Sequence, residues 1–512
     1  MREIVGLDSM PEWLGQRASV APEQLALLCD GRSWTYAELD AAVNRTARRL
    51  ATLGAGEGTR VATLLRNGPR VPLNVHAMSR IGAVLVPLNT RLSASEIAWQ
   101  FEDCGAALLL VDEQTAPLAL DARKRSSAFE MVSVDRPVDG IAALDEIDQA
   151  EVALRERLDP AAVHSIVYTS GTTGRPKGAM LTYGNHWWSA IGSALNLGTH
   201  TDDRWLACMP LFHVGGMAIL LRAVIYGICA VIQPGFDPAE VNRAIDEEGV
   251  TIVSVVATML QRMLAERGER PYPSSFRCAL LGGGPAPRPL LEECARRGVP
   301  VVQTYGLTET GSQVATLAPR DALTRLGSAG KALFPNELRI VDEVGQLAAS
   351  GEPGEIVVRG PVVTAGYADR PEETARAIRD GWLHTGDLGY LDDDGYLFVL
   401  DRRTDLIVSG GENVYPAEVE AVLLAHPAVE EACVVALPDV EWGQVAVAAV
   451  RLRAEANVDS GDLLEFCRTR LARYKVPREI RFAAELPRNA SGKLLRRVLR
   501  DAWRENGQSE TT

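Results

Sequence analysis

The chain has 512 residues, 46% of them hydrophobic, so it is long enough for two or more domains and can bury a sizeable core. Its formal net charge of −14 disfavours nonspecific binding to nucleic acid or to anionic lipid, and a polyanionic ligand must therefore be held by local positive charge. Residues 1–18 lack the apolar run of a signal peptide, and the apolar stretch at 223–232 is too short to span a bilayer. These features predict a globular, cytoplasmic protein without membrane insertion.

From residue 34 onward, short apolar runs alternate with amphipathic segments. Thr35 and Glu38 have the spacing of a capping box that opens a helix to about residue 53. Runs with strand character follow, with helical patterns between them, at 60–65, 82–87, 106–111, 251–256 and 278–281. This alternation predicts an α/β fold with mixed sheets. The eight cysteines are scattered and form no Cys-x-x-Cys pair, which favours reduced, buried thiols over disulfides or a zinc site.

The run Tyr168-Thr-Ser-Gly-Thr-Thr-Gly-Arg-Pro-Lys-Gly178 has the residues of a phosphate-binding loop. Glycines can direct successive N–H groups at one anion, while the hydroxyls add donors and the lysine adds positive charge. It is not a Walker loop, because no Ser or Thr follows the lysine. The alternative is a flexible polar surface loop. The candidate phosphate-binding residues are Thr169, Ser170, Gly171, Thr172, Thr173, Gly174 and Lys177.

Two further clusters carry candidate ligand-binding residues, and the first of them ends the predicted strand 278–281. Leu281 is followed by Gly282, Gly283, Gly284 and Pro285, which would let a flat ring or a substrate lie against the main chain, although such a run alone is an ordinary turn. The segment 305–309, Tyr-Gly-Leu-Thr-Glu, combines a ring that can stack on adenine, a hydroxyl that can bond a phosphate and a carboxylate that can bind Mg²⁺.

Near Asp387 the pattern changes to short strands and tight turns. Thr385-Gly-Asp387 offers a carboxylate in a turn, suited to the two hydroxyls of a ribose, and the cluster 392–395 favours a hairpin over a calcium loop. Beyond 401–405 we expect a compact domain with a helix at 416–424, strands near 432–436 and 445–452, and a helix at 460–472. Lys493 follows a glycine turn in this domain, where most lysines are solvated.

Together these runs resemble the core motifs of the adenylate-forming superfamily of acyl-CoA synthetases, adenylation domains and luciferases, over nearly the whole chain. The resemblance implies a large multi-sheet N-terminal domain (1–401) and a small mobile α+β C-terminal domain (402–512), with a hinge near 402–405. It also implies two reaction steps: ATP and a carboxylate give an acyl-adenylate and pyrophosphate, and coenzyme A then displaces AMP. Many relatives have Asp or Lys where this chain has Thr404, so the identity of the pivot stays open.

The resemblance also implies roles for individual residues. The 169–177 loop would hold the β- and γ-phosphates, and Glu309 would bind Mg²⁺. The other residues implied in nucleotide binding are Gly283, Gly284, Pro285 and Tyr305 at the adenine, Thr308 at the α-phosphate, and Asp387 and Arg402 at the ribose. Lys493 would offset the negative charge that accumulates during adenylation. A domain rotation would then withdraw Lys493 and bring Gly410 and Gly411 to line the coenzyme A channel.

Several stretches between the motifs are similar to one branch, the 2-succinylbenzoate-CoA ligases of menaquinone biosynthesis; they are 184–198, 203–206, 210–213, 282–294 and 402–416. Arg222 is the one charge in the apolar segment 214–232. It would either neutralise the second carboxylate of a dianionic aromatic acid or pair structurally with an acid or reach the surface. His213 would either be a packed imidazole or shape the acyl pocket beside the path to the thioester, with Gly282 as a further substrate contact.

Other functions remain open from the residues. They are another aryl- or medium-chain acyl-CoA ligase, an adenylation enzyme that loads a carrier protein, and a non-catalytic nucleotide-binding regulator. The last is disfavoured because Glu309, Asp387 and Lys493 are all present. The expected partners are a small carboxylic acid, ATP and coenzyme A, without nucleic acid, and homo-oligomerisation stays open.

Overall fold

The computed structural model describes residues 9–126, 129–169, 176–283, 288–321, 324–325, 327–342, 344–402, 406–453, 456–487 and 496–508. The chain divides into two compact units. Unit 1 comprises Met1–Thr90, Phe101–Tyr168 and Gly178–Leu400, and unit 2 comprises Arg91–Gln100, Thr169–Lys177 and Asp401–Thr512.

The helices of the described residues are α1 (Trp13–Val20), α2 (Tyr36–Thr52), α3 (Arg70–Ile81), α4 (Ala94–Asp103), α5 (Ala116–Arg123), α6 (Tyr183–Leu197), α7 (Val214–Tyr226), α8 (Pro238–Glu247), α9 (Ala257–Arg267), α10 (Arg288–Arg296), α11 (Pro371–Ala377), α12 (Pro416–Leu424), α13 (Ser460–Arg468) and α14 (Arg496–Gln508). Short 3₁₀ turns occur at Leu144–Glu146, Thr308–Thr310, Pro319–Asp321 and Arg473–Lys475.

The strands of the described residues are β1 (Met10–Pro11), β2 (Leu25–Cys29), β3 (Arg32–Thr35), β4 (Arg60–Leu64), β5 (Val84–Pro87), β6 (Leu108–Val111), β7 (Glu130–Ser133), β8 (Arg157–Leu158), β9 (Val163–Thr169), β10 (Lys177–Thr182), β11 (Arg204–Ala207), β12 (Cys229–Ile232), β13 (Ile252–Val255), β14 (Cys278–Leu281), β15 (Val301–Leu307), β16 (Ser312–Thr316), β17 (Lys331–Ala332), β18 (Glu337–Val341), β19 (Gly354–Arg359), β20 (Ile378–Arg379), β21 (Trp382–Leu391), β22 (Leu397–Arg402), β23 (Ile407–Ser409), β24 (Glu412–Val414), β25 (Val429–Asp439), β26 (Gly443–Leu452) and β27 (Glu479–Phe482).

Two α/β sheets and one antiparallel sheet organise unit 1. The first has the order β10-β9-β5-β4-β6-β7, and the second has the order β17-β16-β15-β14-β13-β11-β12-β2-β3. In the second sheet the strands from β15 to β2 are parallel, while β16, β17 and β3 join antiparallel at the edges. The third sheet has the order β18-β19-β21-β20, with β22 on β21. The predicted α/β fold with mixed sheets is therefore confirmed.

Parallel strands explain the apolar runs in the sequence. Because helices cover both faces of such a sheet, their strands are buried throughout and read as continuous hydrophobic segments. All four residues of β6, β13 and β14 are buried. Helix α2 shows the predicted capping box, in which Thr35 Oγ1 accepts from the Glu38 N–H at 3.2 Å and the Thr35 N–H donates to Glu38 Oε2 at 2.8 Å.

Unit 2 contains its own antiparallel sheet, in the order β24-β23-β26-β25, with β27 parallel to β26. The long β25–β26 hairpin packs with α12 and α13 around a core that includes Val434, Ala448 and Leu463. Lys475 is buried in this unit and bonds through Nζ to Glu96 and Glu418 at 2.6 and 2.7 Å. Two oppositely charged partners compensate the buried ammonium group.

Most predicted elements are present, with one wrong boundary in unit 2. The helix expected over 460–472 ends at Arg468, because Thr469 caps it and its Oγ1 donates to the Phe466 carbonyl at 3.0 Å. The hairpin at 392–395 is confirmed by the pairing of β21 with β22. All eight cysteines are free and buried, as expected. Among the described helices, none has the length and apolar composition needed to span a bilayer.

Candidate active site

The carboxyl ends of β14 and β15 bring two of the predicted clusters together. The strands are parallel neighbours, with Leu281 opposite Gln303. A Cβ at Gly282 would lie 2.9 Å from Thr304 Cγ2, so the chain after β14 runs directly against β15. Gly283 has φ +79°, a conformation that favours glycine. Ligands bind at such carboxyl ends in open α/β sheets, which agrees with the predicted adenine surface. Gly284 and Pro285 lie outside the described residues.

Tyr305 and Asp387 contact each other although 82 residues separate them. The Tyr305 hydroxyl donates to Asp387 Oδ2 at 2.7 Å, and only 5% and 6% of the two residues are exposed. Gly306 is required beside them, because a Cβ there would lie 1.5 Å from the Ser312 carbonyl oxygen. The structure therefore places the candidate adenine-stacking ring and the candidate ribose carboxylate in one cluster.

The prediction that Asp387 lies in a turn is wrong, because the residue belongs to strand β21. Leu388 pairs with Glu355 and His384 pairs with Val357, so Thr385, Gly386 and Asp387 lie opposite the single residue Ile356. Gly386 has φ +71°, which lets this bulge form inside the strand. The bulge displaces Asp387 from the regular ladder.

Thr308 and Glu309 form a 3₁₀ turn at the end of β15, and both are partly buried. The Tyr367 hydroxyl donates to Glu309 Oε1 at 2.8 Å, and the Thr364 N–H donates to the Glu309 carbonyl oxygen at 2.8 Å. Within the described residues no group of three or more His, Cys, Asp or Glu side chains could hold a metal by itself. A single oriented carboxylate fits Mg²⁺, which proteins often bind through one carboxylate and the phosphates of a substrate.

Arg222 is a buried cation on α7, 3% exposed. Its Nη2 donates to Ser189 Oγ at 3.0 Å, and its guanidinium carbon lies 5.7 Å from the centre of a Trp205 ring. Burial lowers the pKa of Arg222, yet arginine stays charged at neutral pH. No carboxylate of the described residues forms an ion pair with it, so the structural alternative of pairing with an acid, or of reaching the surface, is not realised in this part of the chain.

Ser189 connects Arg222 to the turn that carries Glu309. Its hydroxyl donates to the carbonyl oxygen of Gly311 at 2.8 Å, and Gly311 ends the turn Thr308–Thr310. Two hydrogen bonds therefore link the buried cation to the residue that ends the turn of Thr308 and Glu309.

His213 lies at the opposite end of α7 from Arg222. It is the N-terminal cap residue of the helix, is partly buried, and its ring centre lies 4.6 Å from that of Phe212. Nine positions of helix separate the two Cα atoms by about 13 Å along the axis. The structure thus places His213 and Arg222 on one helix without direct contact.

Most of the remaining candidates lie at the edge of, or outside, the described residues. Thr169 ends β9 and Lys177 begins β10, whereas 170–175 lie outside the described residues, as do Lys493 and Thr404. Arg402 is the last residue of β22. In unit 2, Gly410 and Gly411 form the turn between β23 and β24 with φ of +56° and +85°, and a Cβ at Gly410 would lie 2.6 Å from the Trp442 ring.

Sequence reasoning missed three side chains that hold these candidates: Tyr367 on Glu309, Ser189 on Arg222, and Glu355, which contacts the bulge of β21. Ser189 lies inside the stretch 184–198, which is similar to the 2-succinylbenzoate-CoA ligases, but the residues next to it in sequence do not indicate that it contacts Arg222. The other two are distant in sequence from what they contact.

Two family models cover most of the chain. The model of AMP-binding enzymes matches residues 14–368, and the model of the AMP-binding enzyme C-terminal domain matches residues 418–493. The chain belongs to the AMP-binding enzyme family. Within this family it is 56% identical to a 2-succinylbenzoate-CoA ligase of Geobacillus kaustophilus over 494 residues, which are 96% of this chain and 98% of the relative.

Solved structures of a second member of the AMP-binding family are similar as well. A double mutant of o-succinylbenzoate CoA synthetase from Bacillus subtilis, bound to its product analogue OSB-NCoA, matches with a TM-score of 0.90 and 45% identity over 96% of this chain and 99% of that one. The same enzyme in complex with ATP and magnesium ion matches with a TM-score of 0.73 and 44% identity, over 96% and 99%.

Proposed function

We propose that the chain is an ATP-dependent acid-thiol ligase that converts 2-succinylbenzoate to 2-succinylbenzoyl-CoA in menaquinone biosynthesis. The 56% identity to a 2-succinylbenzoate-CoA ligase over nearly the full length of both chains carries this assignment. The AMP-binding family and the relative with ATP and magnesium ion support AMP-forming chemistry with Mg²⁺. The ligase prediction made from the motifs is thereby confirmed.

The reaction proceeds in two balanced steps. A carboxylate oxygen of the acid attacks the α-phosphorus of ATP, which gives the acyl-adenylate and releases pyrophosphate. The thiolate of coenzyme A then attacks the acyl carbon, the thioester forms, and AMP leaves. A carboxylate is a poor electrophile until one of its oxygens belongs to a good leaving group, which is why ATP is consumed. Mg²⁺, when bound, would offset phosphate charge.

The described residues support distinct tasks in the first step. Tyr305 and Asp387 would hold the nucleoside, with the ring against adenine and the carboxylate at the ribose, supported by their 2.7 Å contact. Thr308 would meet the α-phosphate, and Glu309, oriented by Tyr367, would supply the carboxylate for Mg²⁺. Lys493, Arg402 and the 169–177 loop keep their predicted roles in this proposal.

Arg222 would recognise the second charge of the substrate. A buried guanidinium without an acidic partner in the described residues is costly, and an anionic ligand would compensate it. 2-Succinylbenzoate carries a ring carboxylate besides the succinyl carboxylate that is activated. We assign the ring carboxylate to Arg222, directly or through water, and the reacting end to the side of His213 and Gly282.

The second step would use a mobile C-terminal domain. We place the domain boundary at 401/402, with the hinge at 402–405 and Gly410 and Gly411 at the coenzyme A channel. The compactness of unit 2, which includes Asp401–Thr512, and the separate C-terminal family model support this division.

Eight free, buried cysteines and the use of ATP and coenzyme A support a cytoplasmic location.

Pyrophosphate exchange tests the assignment. The enzyme with Mg²⁺, ATP and labelled pyrophosphate is presented with 2-succinylbenzoate, benzoate, 3-benzoylpropionate and fatty acids, and thioesters are then identified after addition of coenzyme A. We expect 2-succinylbenzoate to give the highest kcat/KM. A higher kcat/KM for 3-benzoylpropionate or a fatty acid would contradict the assignment of the substrate but not the ligase chemistry.

A further inference from the structure

Glu355 on β19 contacts the bulge that carries Asp387. Its Oε1 accepts the N–H of Gly386 at 2.9 Å, and its Oε2 lies 2.9 Å from His384 Nδ1. Gly386 and His384 flank Thr385, and Gly386 immediately precedes Asp387. The two oxygens of one carboxylate therefore bridge the bulged segment of β21 from the neighbouring strand.

The bulge needs such a contact because its backbone has left the regular ladder. Three residues face one across the strands, and the glycine among them is the most flexible residue type. Thr385 fixes part of the segment, since its hydroxyl donates to the Ile356 carbonyl at 2.6 Å and accepts from the Asp387 N–H at 3.1 Å. Glu355 supplies an ionised acceptor to the N–H between them, and such charge-assisted bonds are stronger than neutral ones.

We propose that Glu355 is a positioning residue for nucleotide binding, which holds the β21 bulge so that the Asp387 carboxylate stays aligned for the ribose hydroxyls. This inference rests on the proposed function. Asp387 has to reach the nucleotide while one of its oxygens accepts from Tyr305, so its backbone must keep one position. One oxygen of Glu355 binds the N–H of Gly386, the residue before Asp387, and the other oxygen contacts His384.

A comparison of ATP with 2′-deoxy-ATP and 3′-deoxy-ATP tests the proposal. If Asp387 binds the ribose hydroxyls, wild-type enzyme should prefer ATP about tenfold or more in kcat/KM for pyrophosphate exchange, as expected for hydrogen bonds to a charged group. Glu355→Ala should raise the KM for ATP about tenfold and reduce this preference at least threefold, while the KM for 2-succinylbenzoate stays within twofold. Glu355→Gln, which keeps an acceptor oxygen, should lie between the two.

Glu337→Ala is the matched control, because it removes an acid from the adjacent strand β18. There Glu337 pairs with Arg359 and contacts none of the candidate site residues that the structure describes. Its ATP preference should equal that of wild type. A Glu355→Ala enzyme that slows with all three nucleotides by the same factor would show a structural role only and overturn the proposal. A wild-type enzyme that does not prefer ATP over the two deoxy analogues would also overturn the proposal.

Nucleotide binding measured without the acid separates this inference from the proposed function. If wild type activates no 2-succinylbenzoate, the function is wrong, yet the dissociation constants for ATP and its deoxy analogues still report on Glu355. Thermal unfolding shows whether Glu355→Ala folds. If it does not, the preference of Glu355→Gln for ATP over the deoxy analogues decides. A reduced preference supports the inference, and an unchanged preference contradicts it.

Discussion

At the scale of single residues, Arg222 decides the substrate in our proposal. It is fully charged, 3% exposed, and contacts a hydroxyl and an aromatic ring among the described residues. Arg222→Leu should raise the KM for 2-succinylbenzoate tenfold or more, since the ring carboxylate would lose its partner in a poorly solvated pocket. The KM for 3-benzoylpropionate, which lacks that carboxylate, should change much less. Steady-state kinetics with both acids measure the difference.

Arg267→Leu is the control for this experiment. Arg267 is equally buried, at 4% exposed, but pairs with Asp246, which is not a candidate site residue. Its loss should lower Tm without changing the ratio of the two KM values. If Arg222→Leu behaved in the same way, Arg222 would be a structural residue and the acid would be recognised elsewhere.

At the scale of elements, the ends of β9 and β10 flank the predicted phosphate loop. The Tyr168 hydroxyl donates to Asp103 Oδ2 at 2.8 Å, and Arg370 pairs with the other oxygen of Asp103. A Cβ at Gly178 would lie 2.5 Å from Ile166 Cγ2, so the chain has little freedom where β10 begins. Tyr168→Phe keeps the ring but loses the hydrogen bond to Asp103. We expect a severalfold higher KM for MgATP, with the KM for 2-succinylbenzoate unchanged.

Tyr396→Phe provides the comparison for Tyr168→Phe. Its hydroxyl donates to Asp321 Oδ2 at 2.9 Å, so the same kind of hydrogen bond is removed far from the loop in sequence. Both variants should lose similar stability on thermal unfolding, and only Tyr168→Phe should change the KM for MgATP. Equal KM values would mean that the Tyr168 contact does not affect nucleotide binding.

The elements also show what one sequence can and cannot predict. Strands such as β4, β6 and β14 were predictable because burial on both faces leaves a continuous apolar run. The bulge at Asp387 was not, because Thr-Gly-Asp is the same in a turn and in a bulged strand, and only the pairing of Glu355 and Val357 distinguishes them. The Tyr305–Asp387 contact depends likewise on tertiary structure, so motifs predicted both residues but not their hydrogen bond.

At the scale of the whole molecule, three buried histidines should make the fold sensitive to acid. Burial lowers the pKa of His76 to about 3 and that of His164 to about 4, and burial next to His164 and Arg222 lowers the pKa of His186 well below 6.5. Unfolded histidines bind protons below about pH 6.5, whereas these folded ones stay neutral until the pH approaches their lowered pKa. Stability is therefore fully present above pH 6.5 and falls as the pH drops below it, at a rate that approaches about 1.4 kcal/mol per pH unit for each histidine that stays neutral in the folded protein.

His164→Leu should reduce that slope by about a third. Neither ring nitrogen of His164 has a hydrogen-bond partner among the described residues, so the substitution removes a titrating group without breaking a polar contact seen in that part of the chain. Denaturant unfolding between pH 7.5 and 4.5 measures the slope, and His200→Gln, a change at an exposed histidine, should leave it unchanged. A slope identical to that of wild type in His164→Leu would show that acid acts on other groups.

The two-step reaction predicts that one lysine serves only one step. In our proposal Lys493 offsets charge while the acid attacks ATP, and a domain rotation then withdraws it before coenzyme A reacts. Lys493→Ala should therefore lower acyl-adenylate formation by a factor of a hundred or more, because two anions meet there without their counter-charge. Pre-made 2-succinylbenzoyl-AMP should still react with coenzyme A at a rate within about threefold of wild type.

Lys331→Ala, at an exposed lysine of unit 1, is the control and should leave both half-reactions intact. If Lys493→Ala slowed both half-reactions equally, the lysine would act in both steps and the assignment of one domain pose to each step would be wrong.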